Sequence, residues 1–120
     1  MDKERMRQVL AGSAVLANLK TDKDLTQWAK ALGLYLYIGR GDRFKRWNES
    51  VWHNPYRIGR HGTRDEVCDA YRAYLLGSPE LMARLPETAG KVLGCWCYPL
   101  RCHGMEILRL QQEAIAHGEG

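Results

Sequence analysis

The chain has 120 residues, 45% of them hydrophobic and 27% charged, an ordinary globular composition whose length allows one core and excludes two. The formal charge of +4 and a pI near 9.0 fit either a solvated surface rich in arginine or an acidic partner, whether nucleotide, nucleic acid or protein. No run approaches the roughly eighteen apolar residues of a membrane span, so no membrane partner is expected.

The opening M-D-K-E-R-M-R-Q is polar and lacks the apolar centre of a signal peptide. The cytoplasm is therefore the expected location, and cysteines there stay reduced. Asp2 to Ala11 predicts a helix with Asp2 as N-cap, Met6, Val9 and Leu10 on one face, and Gly12 as the stop. Ala14 to Asn18 is a short apolar run suited to a buried strand. Thr21 or Asp22 can cap a second helix, in which Leu25, Trp28, Ala29 and Leu32 share a face and Gly33 ends the turn.

Leu34 to Arg40, L-Y-L-Y-I-G-R, alternates aliphatic and aromatic residues and predicts the strongest strand of the chain. Gly39 and Gly41 close it with a turn of low bulk that a ligand or another backbone can approach. From Arg40 to Gly62 no periodicity survives, and loops of this length in a small domain are often functional. The loop carries Arg40, Arg43, Lys45, Arg46, Arg57 and Arg60 among Phe44, Trp47, Trp52 and Tyr56, against only Asp42 and Glu49. Interleaved basic and aromatic residues suit phosphates and base faces. The bland alternative is that Trp52 and Tyr56 pin the loop to the core while the arginines are solvated. Asn54-Pro55 fixes a turn, and Asn54 can bond a sugar, a base edge or the loop itself.

Thr63-Arg64-Asp65-Glu66 is a capping box and starts a helix whose stripe is Val67, Ala70, Tyr71, Tyr74 and Leu75, with Gly77 as terminator. Cys68 falls in this helix, away from the other cysteines, and reads as a packing residue. Ser78-Pro79-Glu80 starts another short helix that Pro86 ends. Lys91 to His103, K-V-L-G-C-W-C-Y-P-L-R-C-H, then reads as a buried strand, a tight loop and the start of a last helix marked by Leu108, Gln111 and Ile115. Pro99 cannot donate to a central ladder, so the strand ends before it. His117 to Gly120 reads as a fraying tail.

Strands alternating with helices predict a small α/β domain with a short, largely parallel sheet and right-handed crossovers. The basic loop and the cysteine loop then leave the carboxyl ends of two parallel strands, the edge where such sheets bind ligands.

Cys95, Cys97, Cys102 and His103 are the residue types that hold zinc, though C-x-C-x4-C-H is tighter than the usual paired spacing. A second reading makes Cys102 a nucleophile, its thiol pKa lowered by the helix start and by Arg101 or His103. A third leaves Cys95 and Cys97 as small packing residues and His103 as a local hydrogen-bonding group.

Four stretches carry a resemblance: Y-I-G-R (Tyr37 to Arg40), W-H-N-P-Y (Trp52 to Tyr56), I-G-R-H-G-T-R (Ile58 to Arg64) and V-L-G-C-W-C…C-H-G (Val92 to Gly104). In that order they resemble a small bacterial and phage family, domain of unknown function 4326, from Val15 to Leu110. His53 stands where the family pattern has glycine. The resemblance implies a Rossmann-like three-layer domain binding nucleotide-derived ligands, and no established activity. It also makes residues 1–13 a helical addition to an α/β core of 14–116, within a single domain spanning 1–120.

Three functions follow as expectations. The first is a phage-type domain binding a nucleotide or another phosphate-bearing ligand at the sheet edge, through Gly39, Arg40, Trp52, Asn54, Arg57, Arg60, Cys95, Cys97, Cys102 and His103. The second is a non-enzymatic phage protein that binds and inhibits a host protein through the basic loop, in the host cytoplasm. The third is an enzyme on nucleotide or nucleic acid that uses Cys102 or His103.

Overall fold

The structure is a computed structural model that describes residues 2–42 and 48–116. The expectations for Arg43, Phe44, Lys45, Arg46 and Trp47, and for the tail from His117, lie outside the described residues.

The four-residue run V-L-G-C is apolar on both faces, as a strand covered on two sides must be. Val92–Cys95 (β3) is fully buried and lies at the centre of a parallel sheet. Val15–Asn18 (β1) pairs with it from Val15↔Val92 to Asn18↔Cys95, and Tyr35–Tyr37 (β2) from Tyr35↔Val92 to Tyr37↔Gly94. The order is therefore β1-β3-β2. Side chains alternate across a strand, and they feed two separate clusters here. Leu16, Leu93 and Cys95 join Ile38, Trp52, Tyr71 and Ile107, whereas Val15, Ala17 and Val92 join Val9, Leu25 and Ala29.

The helices start where cap chemistry dictates. Asp2 accepts from Arg5 N at 2.9 Å and opens Lys3–Leu10 (α1). Arg5 then donates to Leu16 O at 2.7 Å and to Asp22 at 2.8 Å, fastening α1 to β1 and to the next helix. That helix is Lys23–Ala31 (α2). Asp22 takes its N-cap place without a cap hydrogen bond, because its carboxylate accepts from Arg5 and from Asn18 N. These contacts, Arg5 first, hold its pKa below the usual carboxylate range.

Thr63 forms the expected capping box, accepting from Glu66 N at 3.2 Å while Glu66 accepts from Thr63 N at 2.9 Å. Arg64–Leu76 (α3) follows, then Pro79–Arg84 (α4) behind Ser78, a 3-10 turn at Leu85–Thr88, and finally His103–Ala116 (α5). Among the described residues, no helix is long and apolar enough to cross a membrane.

One element departs from its sequence pattern. The alternating run Leu34 to Arg40 yields only Tyr35–Tyr37. β2 is an edge strand with β3 as its single neighbour, so no ladder holds it beyond Ile38, whose N–H still reaches Gly94 O. At Gly39 the chain turns away, and the Gly39 carbonyl accepts from Ser50 N instead.

Candidate functional site

Because the three strands are parallel, the chain leaves Asn18, Tyr37 and Cys95 at one edge of the sheet. A cavity of about 840 Å³ opens between the loops after β2 and β3, within the usual range for small-molecule sites. Its walls include Tyr37, Gly39 and Arg40 from the end of β2, Tyr56 and Arg57 from the basic loop, and Cys95, Trp96 and Cys97 from the end of β3. Cys102 and His103 come from the start of α5. The two loops thus share one cavity, as the strand order predicts.

Helix α3 supplies a wall that the sequence pattern did not point to. Arg64, Val67 and Cys68 line the cavity. Cys68 is therefore not remote from the other cysteines; all four cysteines of the chain face one space. The missed signal is the spacing Arg64, Val67, Cys68, Tyr71, which puts these four on one helical face. Arg101 fixes this wall to α5 through Asp65 at 2.9 Å, Asp69 at 2.7 Å and the buried Glu106 at 3.2 Å, while Arg64 donates to Arg101 O at 3.1 Å.

The basic loop divides into anchors and cavity groups. Trp52, expected to stack on a ligand, is 1% exposed and lies in the core beside Leu16 and Tyr71, with its carbonyl accepting from Tyr71 OH at 2.7 Å. Asn54 is also committed within the protein. Its amide nitrogen donates to Val67 O at 3.1 Å and its amide oxygen accepts from Tyr56 N at 3.0 Å. Its backbone carbonyl does the work at the cavity, since Arg40 Nη2 donates to Asn54 O and Tyr56 O, both at 2.8 Å. Arg57 lines the cavity and is exposed, whereas Arg60 is exposed and not among the lining residues. The space beside Gly39 is taken by the Tyr37 phenol, whose O–H donates to Arg40 O at 2.6 Å. A ligand therefore has no access through that missing side chain.

Arg40 is the most telling cation. It is half-buried, two carbonyls hold it, and among the described residues no carboxylate pairs with it. Burial first, and then repulsion from Arg57, lower its pKa. Glu49 acts in the opposite sense, and the guanidinium lines the cavity together with Asp42.

Among the described residues, the exposed aromatic side chain belongs to the cysteine loop. Trp96 is 45% exposed, lines the cavity, and donates its indole N–H to Tyr37 OH at 3.1 Å. Tyr56 adds a second ring.

At the floor, the Cys95 and Cys102 sulfurs stand 3.8 Å apart. Sharing a proton separates their acidities. The hydrogen bond from Cys102, with main-chain N–H groups of Tyr98 and Cys97, pulls the Cys95 thiol pKa down despite its burial. Cys102, left holding the proton beside a thiolate, is pushed up. His103 offers it no positive charge, because burial lowers the imidazole pKa to about 4. Its Nε2 lies 2.7 Å from Ile38 O, and a carbonyl only accepts, so the neutral ring carries its proton on Nε2. Among the described residues, no three His, Cys, Asp or Glu side chains gather to hold a metal ion. Cys95 and Cys102 are brought together, while His103 is engaged with Ile38.

Glycine is required where α5 meets the sheet. A side chain at Gly104 would collide with Leu16 at 2.5 Å and Ile38 at 2.7 Å, so this residue lets the helix start sit against the strand ends.

No solved structure matches the chain. A viral relative does: the uncharacterized protein R718 of Acanthamoeba polyphaga mimivirus is 35% identical over 85 residues, covering 62% of this chain and 65% of the relative. The chain thus spans slightly less than two thirds of that relative's length. The profile of one family matches residues 17–113, a stretch that contains β2, β3, the second half of β1, both loops and every residue that lines the cavity. The chain belongs to that family, the domain of unknown function DUF4326.

Proposed function

We propose that the cavity binds a nucleotide or a nucleotide-derived ligand, with phosphate at Arg40 and Arg57 and the base against Trp96. The observation that carries this reading is Arg40: a half-buried guanidinium held by Asn54 O and Tyr56 O, without a carboxylate partner among the described residues. Arg57 adds a second positive charge to the same cavity. Phosphate matches the forked donors of arginine, and an exposed indole provides a face on which any base can stack. The parallel sheet with a hydrophobic cluster on each side supports a Rossmann-like three-layer arrangement, in which the carboxyl edge is the ligand edge. Such a ligand suits a protein working in the cytoplasm of a cell or infected host.

Titrating ADP, adenosine and pyrophosphate into the full chain, read by tryptophan fluorescence and calorimetry, tests this reading. ADP is expected to bind, adenosine to bind at least tenfold more weakly, and rising salt to weaken ADP through charge screening. Arg57→Ala should cost about tenfold in ADP affinity, roughly 1.4 kcal/mol, with stability within about 0.5 kcal/mol of the parent. Equal binding of adenosine and ADP, or ADP binding indifferent to Arg57, would overturn it.

A further inference from the structure

The buried thiol pair is not needed for the binding reading, and it has a chemistry of its own. We propose that Cys95 and Cys102 are an oxidative modification site, forming a reversible intramolecular disulfide when a hydroperoxide enters through the cavity.

Three observations support it. First, the two sulfurs are in contact, 3.8 Å apart, although one residue ends β3 and the other precedes α5. Second, the contact lies at the cavity and not in sealed core. Cys95 is 1% exposed and Cys102 3%, yet both line the space that Arg57 and Trp96 open to solvent. A small oxidant can reach them where a bulky alkylating reagent is hindered. Third, the pair can hold a thiolate. Either sulfur is placed to donate its S–H to the other, and the hydrogen bond from Cys102 favours the thiolate at Cys95. The thiolate is the attacking form of cysteine. Cys68 and Cys97 line the same cavity, but neither shows a sulfur–sulfur contact like this one among the described residues.

The step balances with a hydroperoxide as the single co-reactant. The Cys95 thiolate attacks the terminal oxygen, the O–O bond breaks, and the leaving alkoxide or hydroxide takes up a proton. Cys95 is then a sulfenic acid. The Cys102 sulfur attacks the Cys95 sulfur, an S–S bond forms, and the hydroxyl leaves as water with the Cys102 proton. Two thiols are oxidised by two electrons. The hydroperoxide is reduced to an alcohol and water, or to two waters from hydrogen peroxide. An added dithiol returns the pair to its starting state.

Trypsin cuts on either side of the pair in a useful way. Cleavage after Lys91, Arg101 and Arg109 places Cys95 and Cys102 on separate peptides, Val92 to Arg101 and Cys102 to Arg109. The full chain is reduced, desalted, exposed to equimolar hydrogen peroxide, and then unfolded in N-ethylmaleimide. The expected protein is two hydrogen atoms lighter than the reduced chain and carries two maleimides instead of four. The two peptides should remain joined until dithiothreitol is added, with fragment ions placing the bond at Cys95. Cys97→Ser should keep the joined pair, and Cys102→Ser should lose it. Four maleimides after peroxide, a sulfinic acid in place of the disulfide, a bond placed at Cys97, or a bond between two chains would each overturn the proposal. Fragment ions of the parent protein decide the matter even if a serine variant fails to fold.

Discussion

The two loops that form the cavity use similar residue types for opposite ends. In the basic loop, Trp52 and Asn54 face inward. Trp52 is core, and Asn54 ties the loop to α3 while its carbonyl holds Arg40. In the cysteine loop, Trp96 is exposed beside the cavity, and Cys95 and Cys102 are buried. The first loop is an anchored arm that presents charge. The second is a short bridge between β3 and α5 that presents an aromatic side chain over a floor of paired thiols. An aromatic residue's role is thus set by which side of its loop meets the core, and local spacing does not reveal that.

The sharpest way to break this contrast is to exchange the two tryptophans' fates. Trp52→Ala should destabilise the fold by about 4 kcal/mol, the usual cost of emptying a buried aromatic site, as measured by urea unfolding. Trp96→Ala should cost far less, because about half of its surface already meets solvent. Comparable losses in the two variants would erase the distinction between anchor and platform.

The next largest effect concerns His103, which stands where the two loops meet. Its pKa is about 4 in the folded chain and 6.5 in the reference state. Between those values the unfolded chain binds more protons, so stability must fall as pH drops through 6.5 and level off below about 4. The full loss is about 3 kcal/mol at 1.36 kcal/mol per unit. His103→Gln should flatten this window in pH-dependent denaturation. A parent protein whose stability is level from pH 7 to 4 would show that the ring is not buried neutral.

The smallest effect sharpens the boundary between the basic loop and α3. Thr63→Ala removes half of the capping box and should cost about 1 kcal/mol. Hydrogen exchange should quicken at the first turn of α3 and leave β3 unchanged. Uniformly faster exchange would mean that loop and helix open as one unit.

Much of this architecture is legible in local sequence. Thr63 to Glu66 and Ser78-Pro79 mark helix starts because caps are satisfied within a few residues. V-L-G-C announces a central strand because both of its faces must be covered. The meeting of the two loops follows from parallel strands. What escapes local reading depends on distant partners. Asn54 finds Val67, His103 finds Ile38 across 65 positions, and Cys68 joins a cavity made by β3. The acidity of the thiols is also out of reach, since it depends on the meeting of Cys95 with Cys102. The length of β2 was overestimated for a similar reason: alternation reports a face for each side chain but not how far a neighbour runs alongside.

The strand order has a consequence for how the molecule comes into being on the ribosome. β1 and β2 do not pair with each other; each pairs only with β3. Until Val92–Cys95 has been translated, the nascent chain holds two strands with no mate, and Trp52 and Tyr71 have no Leu93 to pack against. Closing contacts as distant as Val15 with Val92 is slow relative to local helix formation. The emerging polypeptide therefore lacks its sheet for most of its synthesis. Sheet, core and cavity arrive together, late, and a chaperone would meet the exposed apolar segments before they do.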